Sequence, residues 1–250
     1  MKTKNVITTT ILSLSLIGLV ITGCKKTEET PATTDESAAQ MINAGDDSRI
    51  SAESDEIVDE VNQVALNNSR FRGINFHPIL NGNHLPCNTT IDSSLSSQGT
   101  IIVLFNGNNC DNTYSRSGSI TLQLPYNSTT MIVTPWSDAS CILTITFNQL
   151  TITRLADNKS LIFNGTKYIT NVSGGLVDDA TDFNTPIVHH ITGMMQITFD
   201  NSTTRTWNID RTRTINRTNN ITTITITGNA TQNGLSNVSV WGINRNGNSF

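Results

Sequence analysis

The sequence predicts an all-β fold, an antiparallel meander that forms a sandwich or an open barrel, with one short helix and a stalk before it. Two observations support this prediction. Of the 250 residues, 38 are Thr and 30 are Asn; Thr favours strands, and Asn favours turns and loops. From about residue 86 onward, apolar side chains alternate with polar ones, which is the period of a strand with one buried face.

The composition excludes two broad classes of protein. The formal net charge is −4, and only 14% of the residues are charged. Such a chain has no basic field for sequence-independent binding of nucleic acid, so we expect no nucleic-acid partner. The many Ile, Val, Leu and Phe side chains, together with so little charge, also argue against global disorder.

The first residues have the pattern of a secretory signal peptide, which we assign to 1–23. Lys2 and Lys4 precede an apolar run over residues 6–20. A short apolar run behind lysines and before small residues is typical of such a signal, and this one is marginal for spanning a bilayer. The mature chain is therefore expected in an oxidising compartment, where disulfides persist.

The end of this signal resembles the lipobox of bacterial lipoproteins. The sequence at 21–24 is Ile-Thr-Gly-Cys, directly behind the apolar run. The resemblance implies cleavage before Cys24, diacylglycerol on the Cys24 sulfur and acylation of the new amino terminus. A single acyl chain binds a membrane weakly and reversibly, whereas several chains make a lasting anchor.

Between this anchor and the β region, the sequence predicts a lipidated, flexible stalk over 24–48 and an acidic helix over 49–68. The stalk is polar and contains Pro31, so burial cannot offset the entropy of ordering it. In the helix, apolar residues recur at spacings of three and four and form one stripe. The members of this stripe are Ile57, Val58, Val61, Val64 and Ala65.

Charge divides sharply between these segments and the rest of the chain. Residues 25–66 hold 11 acidic and 3 basic residues, whereas residues 67–250 hold 9 acidic and 11 basic residues. Two explanations stay open. Either the opposite charges hold the helix against the β domain, or the acids only keep the stalk and the helix solvated.

The β domain is predicted over residues 69–250. Turn signals rich in Asn and Gly separate its apolar sets, and no helical pattern intervenes. Roughly ten strands of this kind favour an antiparallel meander. The clearest inward-facing sets are Ile101, Val103 and Phe105; Ile120, Leu122 and Leu124; Cys141, Leu143, Ile145 and Phe147; and Ile191, Met195, Ile197 and Phe199.

Three cysteines remain once lipid has modified the first. Cys87 begins one strand and Cys110 lies in the turn-rich stretch after the next strand. A hairpin between them would bring the two together, so we predict a Cys87–Cys110 disulfide. Cys141 belongs to an apolar inward set and is expected to be a free core thiol. The paired short spacing of a zinc site is absent from the sequence.

The four histidines do not form a convincing metal site. His189 and His190 are neighbours in a predicted strand, so their side chains point to opposite faces and cannot bind one ion without a bulge. His77 and His84 share the loop over 73–86, where they reach one ion only if the loop folds back.

The sequence likewise predicts no catalytic site and no cofactor. A Gly-rich loop carries three acids, and clustered carboxylates can hold Ca²⁺, but we interpret this loop as solvated. No Gly-x-Ser-x-Gly elbow supports a nucleophile with a histidine base. We therefore expect a protein that is not an enzyme and that has no metal site. The acids in question are Asp178, Asp179 and Asp182.

One strand carries the most suggestive surface. In the stretch over 203–217, alternate residues place Arg205, Trp207, Arg211 and Arg213 on one face. Arg beside Trp can bind anionic or sugar ligands, so these four residues form the candidate binding face. The alternative is a ladder of Arg and Thr that stabilises an exposed sheet face.

Further strings follow one another in a characteristic order. They are SDEIVDEVNQV, Pro86-Cys87, GTIIVLFNGNNC, SRSGSITLQL, ITFNQLTI, FNGTKYITNV, ITGMMQITFDNSTTRTWNIDRTRTI, TITGNATQNG and NRNGNSF. This order over about 50–250, behind the lipobox, resembles uncharacterised bacterial lipoproteins with a short acidic helix and a C-terminal antiparallel β domain. The resemblance implies an envelope lipoprotein and carries over no catalytic residue. Related chains continue with strands after a stretch like NRNGNSF, so we expect the β domain to lack its final strands at Phe250.

These patterns together predict a lipoprotein that lipid on Cys24 anchors in the outer membrane. Its expected role is a non-catalytic binding or surface-structural module with a glycan or a protein as partner. The alternative is an enzyme that acts on polysaccharide of the cell envelope. A carboxylate pair facing one groove would favour the enzyme, and a flat face without such a pair would favour binding.

Overall fold

The computed structural model describes residues 34–72, 86–177, 185–218, 221–232, 237–239 and 242–243. Several predicted features lie outside these ranges: the signal peptide with Cys24, the loop residues His77 and His84, the acids at 178, 179 and 182, and the stretch 244–250. The chain comprises two units, Met1–Met41 and Ile42–Phe250. All side-chain contacts given below lie in the second unit.

The described elements are two helices, a short 3-10 turn and twelve strands. In chain order they are α1 (Thr34–Leu66), α2 (Ser69–Arg72), β1 (Thr89–Asp92), the 3-10 turn (Ser96–Gln98), β2 (Thr100–Asn108), β3 (Tyr114–Gln123), β4 (Tyr126–Asn127), β5 (Ile132–Val133), β6 (Cys141–Arg154), β7 (Ser160–Asn171), β8 (Ile187–Phe199), β9 (Thr204–Thr218), β10 (Ile221–Gln232), β11 (Asn237–Ser239) and β12 (Gly242–Ile243).

The helix α1 begins earlier than the sequence predicted. It spans 33 residues from Thr34 to Leu66, so the stretch 34–48 belongs to it and not to a flexible stalk. The prediction relied on an apolar stripe, which only the later turns possess. The earlier turns lack such a stripe, but they contain Ala, Gln, Glu and Met, which have high helix propensity. Acidic residues near a helix N-terminus also interact favourably with the helix dipole.

The sheet confirms the predicted antiparallel meander. Ten of the described strands form one open sheet in the order β1-β2-β3-β6-β7-β8-β9-β10-β11, with β12 also pairing β10. Each strand from β6 to β10 pairs antiparallel with the next one in sequence. The layer that covers the inner face of this sheet is the part of α1 from Asp46 onward, so the core lies between a helix and a sheet.

The buried apolar residues follow the spacing that the sequence patterns predicted, which is three and four in the helix and two in the strands. From α1, the predicted stripe is buried together with Ile50. From β6, the inward set Cys141, Leu143, Ile145 and Phe147 is fully buried, and the polar residues between them face outward. The sheet therefore has an inner face against α1 and an outer face on the opposite side.

The cysteines lie as predicted. Cys87 and Cys110 form a disulfide, with their Cα atoms 5.1 Å apart, because β1 and β2 pair antiparallel between them. Cys141 is the free cysteine of the described residues and is buried. Burial raises the pKa of its thiol to about 12, so this thiol stays protonated and unreactive at neutral pH.

Candidate functional site

The four residues of the predicted binding face do share one face of β9, but it is the inner face. Trp207 is 0% exposed and Arg211 is buried, and α1 covers both. The structure therefore corrects both interpretations offered for these residues, since neither a ligand-binding surface nor an exposed ladder is present here. Alternation along a strand indicates which residues share a face, and packing alone decides which face meets solvent.

Acids of α1 pair with the bases of this face. Asp46 lies 2.9 Å from Arg205. Asp55 accepts a hydrogen bond from the Lys167 ammonium at 3.1 Å and lies 3.6 Å from Arg211. The Lys167 ammonium and the Arg211 guanidinium also lie 5.9 Å and 5.4 Å from the centre of the Trp207 ring, where the negative ring face attracts cations.

A second cluster ties α1 to β3. The buried Arg116 donates hydrogen bonds to Glu56 at 2.8 Å and to Glu60 at 2.6 Å. Burial raises the pKa of Glu60, and the hydrogen bond from Arg116 opposes this rise. Docking of the helix accounts for part of the charge asymmetry of the sequence, because five acids of α1 pair with bases of the inner face: Asp46, Asp55, Glu56, Asp59 and Glu60.

A small cavity remains beside these ion pairs. Its volume is about 90 Å³, and it lies between Asp55 and Asp59 of α1 and the strands β7 to β10. A space of this size is large enough to hold water. Its charged groups pair with one another.

The adjacent histidines point to opposite faces, as their strand position predicted. His189 is buried beside Trp136 and accepts a hydrogen bond from Arg213 at 3.0 Å. Burial, with a smaller effect of Arg213, lowers the pKa of His189 to about 3. His190 lies on the outer face, 2.8 Å from Asp210. Among the described residues, no group of three His, Cys, Asp or Glu is placed to hold a metal ion.

The outer face of the sheet has a distinct composition. On β3 and β6 to β9 it presents mostly hydroxyl and amide side chains, and in these strands its acidic residue is Asp210, which pairs with His190. Three large side chains with apolar surface also stand out from it: Met194, which is 64% exposed, Tyr168, which is 44% exposed, and Ile142, which is 42% exposed. The Thr residues of these strands that face outward are Thr121, Thr144, Thr146, Thr151, Thr153, Thr166, Thr170, Thr192, Thr198, Thr204, Thr206, Thr212, Thr214 and Thr218.

A groove crosses one end of this outer face, and we call it the outer groove. It is an open space of about 570 Å³. Its floor is a row of four residues on neighbouring strands, since Thr100 pairs with Gln123, Gln123 with Thr144, and Thr144 with Tyr168. Its walls are Gln98, Leu124, Pro125, Tyr126 and Ile142.

A tight turn shapes one wall of the outer groove. Gly99 has a φ of 73°, in the left-handed region that glycine adopts most readily. A Cβ atom at this position would lie 2.7 Å from the Leu124 carbonyl oxygen, which is too close. The Leu124 amide donates a hydrogen bond to the Gly99 carbonyl at 2.9 Å. This contact holds the 3-10 turn with Gln98 beside the segment that carries Leu124 and Tyr126.

The outer groove was not found from the sequence. Alternation identified the outward-facing Thr and Gln residues, but the four floor residues are up to 68 positions apart, and only the strand register aligns them. No protein-family model, curated protein or solved structure matches the chain. The outer groove therefore has to be interpreted from its geometry alone, in which uncharged hydroxyl and amide groups lie beside the exposed ring of Tyr168.

Among the described residues, no helix is long and apolar enough to cross a membrane.

Proposed function

We propose that the protein is a lipoprotein of the outer membrane, anchored by lipid on Cys24, whose β domain is a non-catalytic glycan-binding module. The lipobox at 21–24 supports the anchor. The Cys87–Cys110 disulfide is consistent with an exported domain, because such bonds persist in oxidising compartments.

The outer groove is the single observation that carries the binding role. The nine described residues that line it are all uncharged, and they combine Thr hydroxyls, Gln amides and two Tyr rings. Sugars present hydroxyl groups around their edges and apolar C–H groups on their faces. A site with a few polar groups and aromatic surface can satisfy both parts of a sugar.

The lipid anchor has a direct test. We expect Cys24→Ala to move the protein from the membrane fraction to the soluble fraction and to abolish incorporation of labelled palmitate, since acyl chains supply the attachment. Cys141→Ala is the matched control, because that thiol is buried and free. The anchor is refuted if the Cys24 variant keeps both its label and its membrane attachment.

The glycan role is tested by capture on immobilised polysaccharides. The full lipoprotein, in a detergent without a sugar headgroup, is expected to bind a neutral polysaccharide. Thr144→Arg, on the groove floor, should weaken this binding at least about tenfold, a loss of ~1.4 kcal/mol. Thr153→Arg makes the same change on the same face of β6 outside the groove lining and should bind normally. Failure to bind any polysaccharide, neutral or charged, would refute the proposal.

A further inference from the structure

We infer that the outer groove takes an extended, uncharged, β-linked glycan that lies across the strands. This inference rests on the proposed function and adds the class of ligand and its direction. It depends on three features of the outer groove: the spacing of its floor, the position of Tyr168 and the absence of charge from its lining.

The floor of the groove is a row with a regular spacing. Thr100, Gln123, Thr144 and Tyr168 occupy β2, β3, β6 and β7, each directly paired with the next. Neighbouring strands lie about 4.8 Å apart, so a hydroxyl, amide or phenol group recurs at this interval. The rings of an extended β-linked pyranose chain advance by nearly the same distance. Such a chain lying along the row meets one polar side chain for each sugar.

The aromatic residue gives the row a stacking position. Tyr168 is 44% exposed and Ile142, beside it, is 42% exposed. Both line the groove. The sugars of an all-equatorial β-linked chain are flat and carry C–H groups on both faces, which pack on an aromatic ring. An α-linked chain coils, so the spacing of its sugar rings does not match the spacing of the floor residues. Such a chain cannot stack one ring on Tyr168 and at the same time place its other rings over the rest of the row.

The neutral lining selects against charged glycans. Three charged groups of the same face are Asp210 and His190, which pair with each other, and Asp92 at the end of β1. None of the three lines the groove. A uronic acid or a phosphate would lose hydration in the groove and would meet no cation there. The amide groups of Gln98 and Gln123 can donate and accept hydrogen bonds, which suits the hydroxyl groups of a neutral sugar.

The test compares two tetrasaccharides by calorimetry with the full lipoprotein in a detergent without sugar. The probes are four glucose units joined by β-1,4 links and four joined by α-1,4 links. We expect the β-linked probe to bind at least about tenfold more tightly than the α-linked probe. We also expect its affinity to rise from the disaccharide to the tetrasaccharide, since the floor offers four positions.

Three variants locate the contact. Tyr168→Ala should weaken binding of the β-linked probe about tenfold, and Tyr168→Phe should weaken it less, because the ring remains and only the phenol hydroxyl is lost. Met194→Ala removes an exposed side chain of the same face outside the groove lining and should leave the affinity unchanged.

The possible results separate this inference from the proposed function. Equal binding of both linkages, preference for a charged polysaccharide, or no effect of Tyr168→Ala overturns the inference and leaves glycan binding intact. Absence of binding to every polysaccharide overturns both.

Discussion

Replacing Asp55 with Asn is expected to lower the free energy of unfolding by about 3–5 kcal/mol. The Asp55 carboxylate lies 3.1 Å from the Lys167 ammonium and 3.6 Å from the Arg211 guanidinium, and both of these cations are buried while the Asp55 side chain is 43% exposed. Burial lowers the pKa of Lys167, and the charge of Asp55 opposes this change. Without that charge, the buried Lys167 ammonium loses its ion pair with Asp55, which is costly in a medium that solvates charge poorly.

Asp59→Asn is the matched control for this prediction. Asp59 is one turn further along the same helix, and it lies 3.3 Å from Arg213, but its side chain is 67% exposed. An exposed ion pair contributes only about 0.2–1 kcal/mol. Urea unfolding of both variants measures the difference. Equal losses of stability would show that the buried cations do not depend on Asp55.

Replacing Cys87 and Cys110 together with Ala is the second large change. The disulfide closes a loop with a sequence separation of 23 residues, and its loss should reduce stability by about 3.5 kcal/mol because the unfolded chain gains freedom. For a chain of this size, the Tm should fall by roughly 10 °C.

Reductant supplies the control for the disulfide variant. Reduction should bring the Tm of the native protein close to that of the variant and should leave the Tm of the variant unchanged. Cys141 is present in both proteins, so its oxidation cannot produce the difference. A variant that melts at the native temperature would mean that the bond contributes nothing to stability.

The features predicted correctly depend on short stretches of chain. The alternation in β6 places Cys141 and Phe147 in the core because successive residues of any strand point to opposite faces. The Cys87–Cys110 pair follows from one hairpin, which brings its two ends together. Both results need only local geometry and a turn.

The features that were missed depend on what packs against each face. The sequence placed Arg205, Trp207, Arg211 and Arg213 correctly on one face, and the error was to leave that face in solvent. The observation that could have corrected it was the excess of acids in 25–66, which matches the basic face in charge. The ion pairs between α1 and β9 are what show that the acids of the helix lie against this basic face.

The sequence by itself determined the antiparallel β architecture, the apolar stripe of the helix, the disulfide and the free thiol, because periodicity and turns act over a few residues. Tertiary structure decided that α1 covers the inner face and that Thr100, Gln123, Thr144 and Tyr168 form one row. The physical reason is register: a strand shifted by one residue would turn its other face outward. Register is set by packing across the whole sheet, which no single stretch of sequence contains.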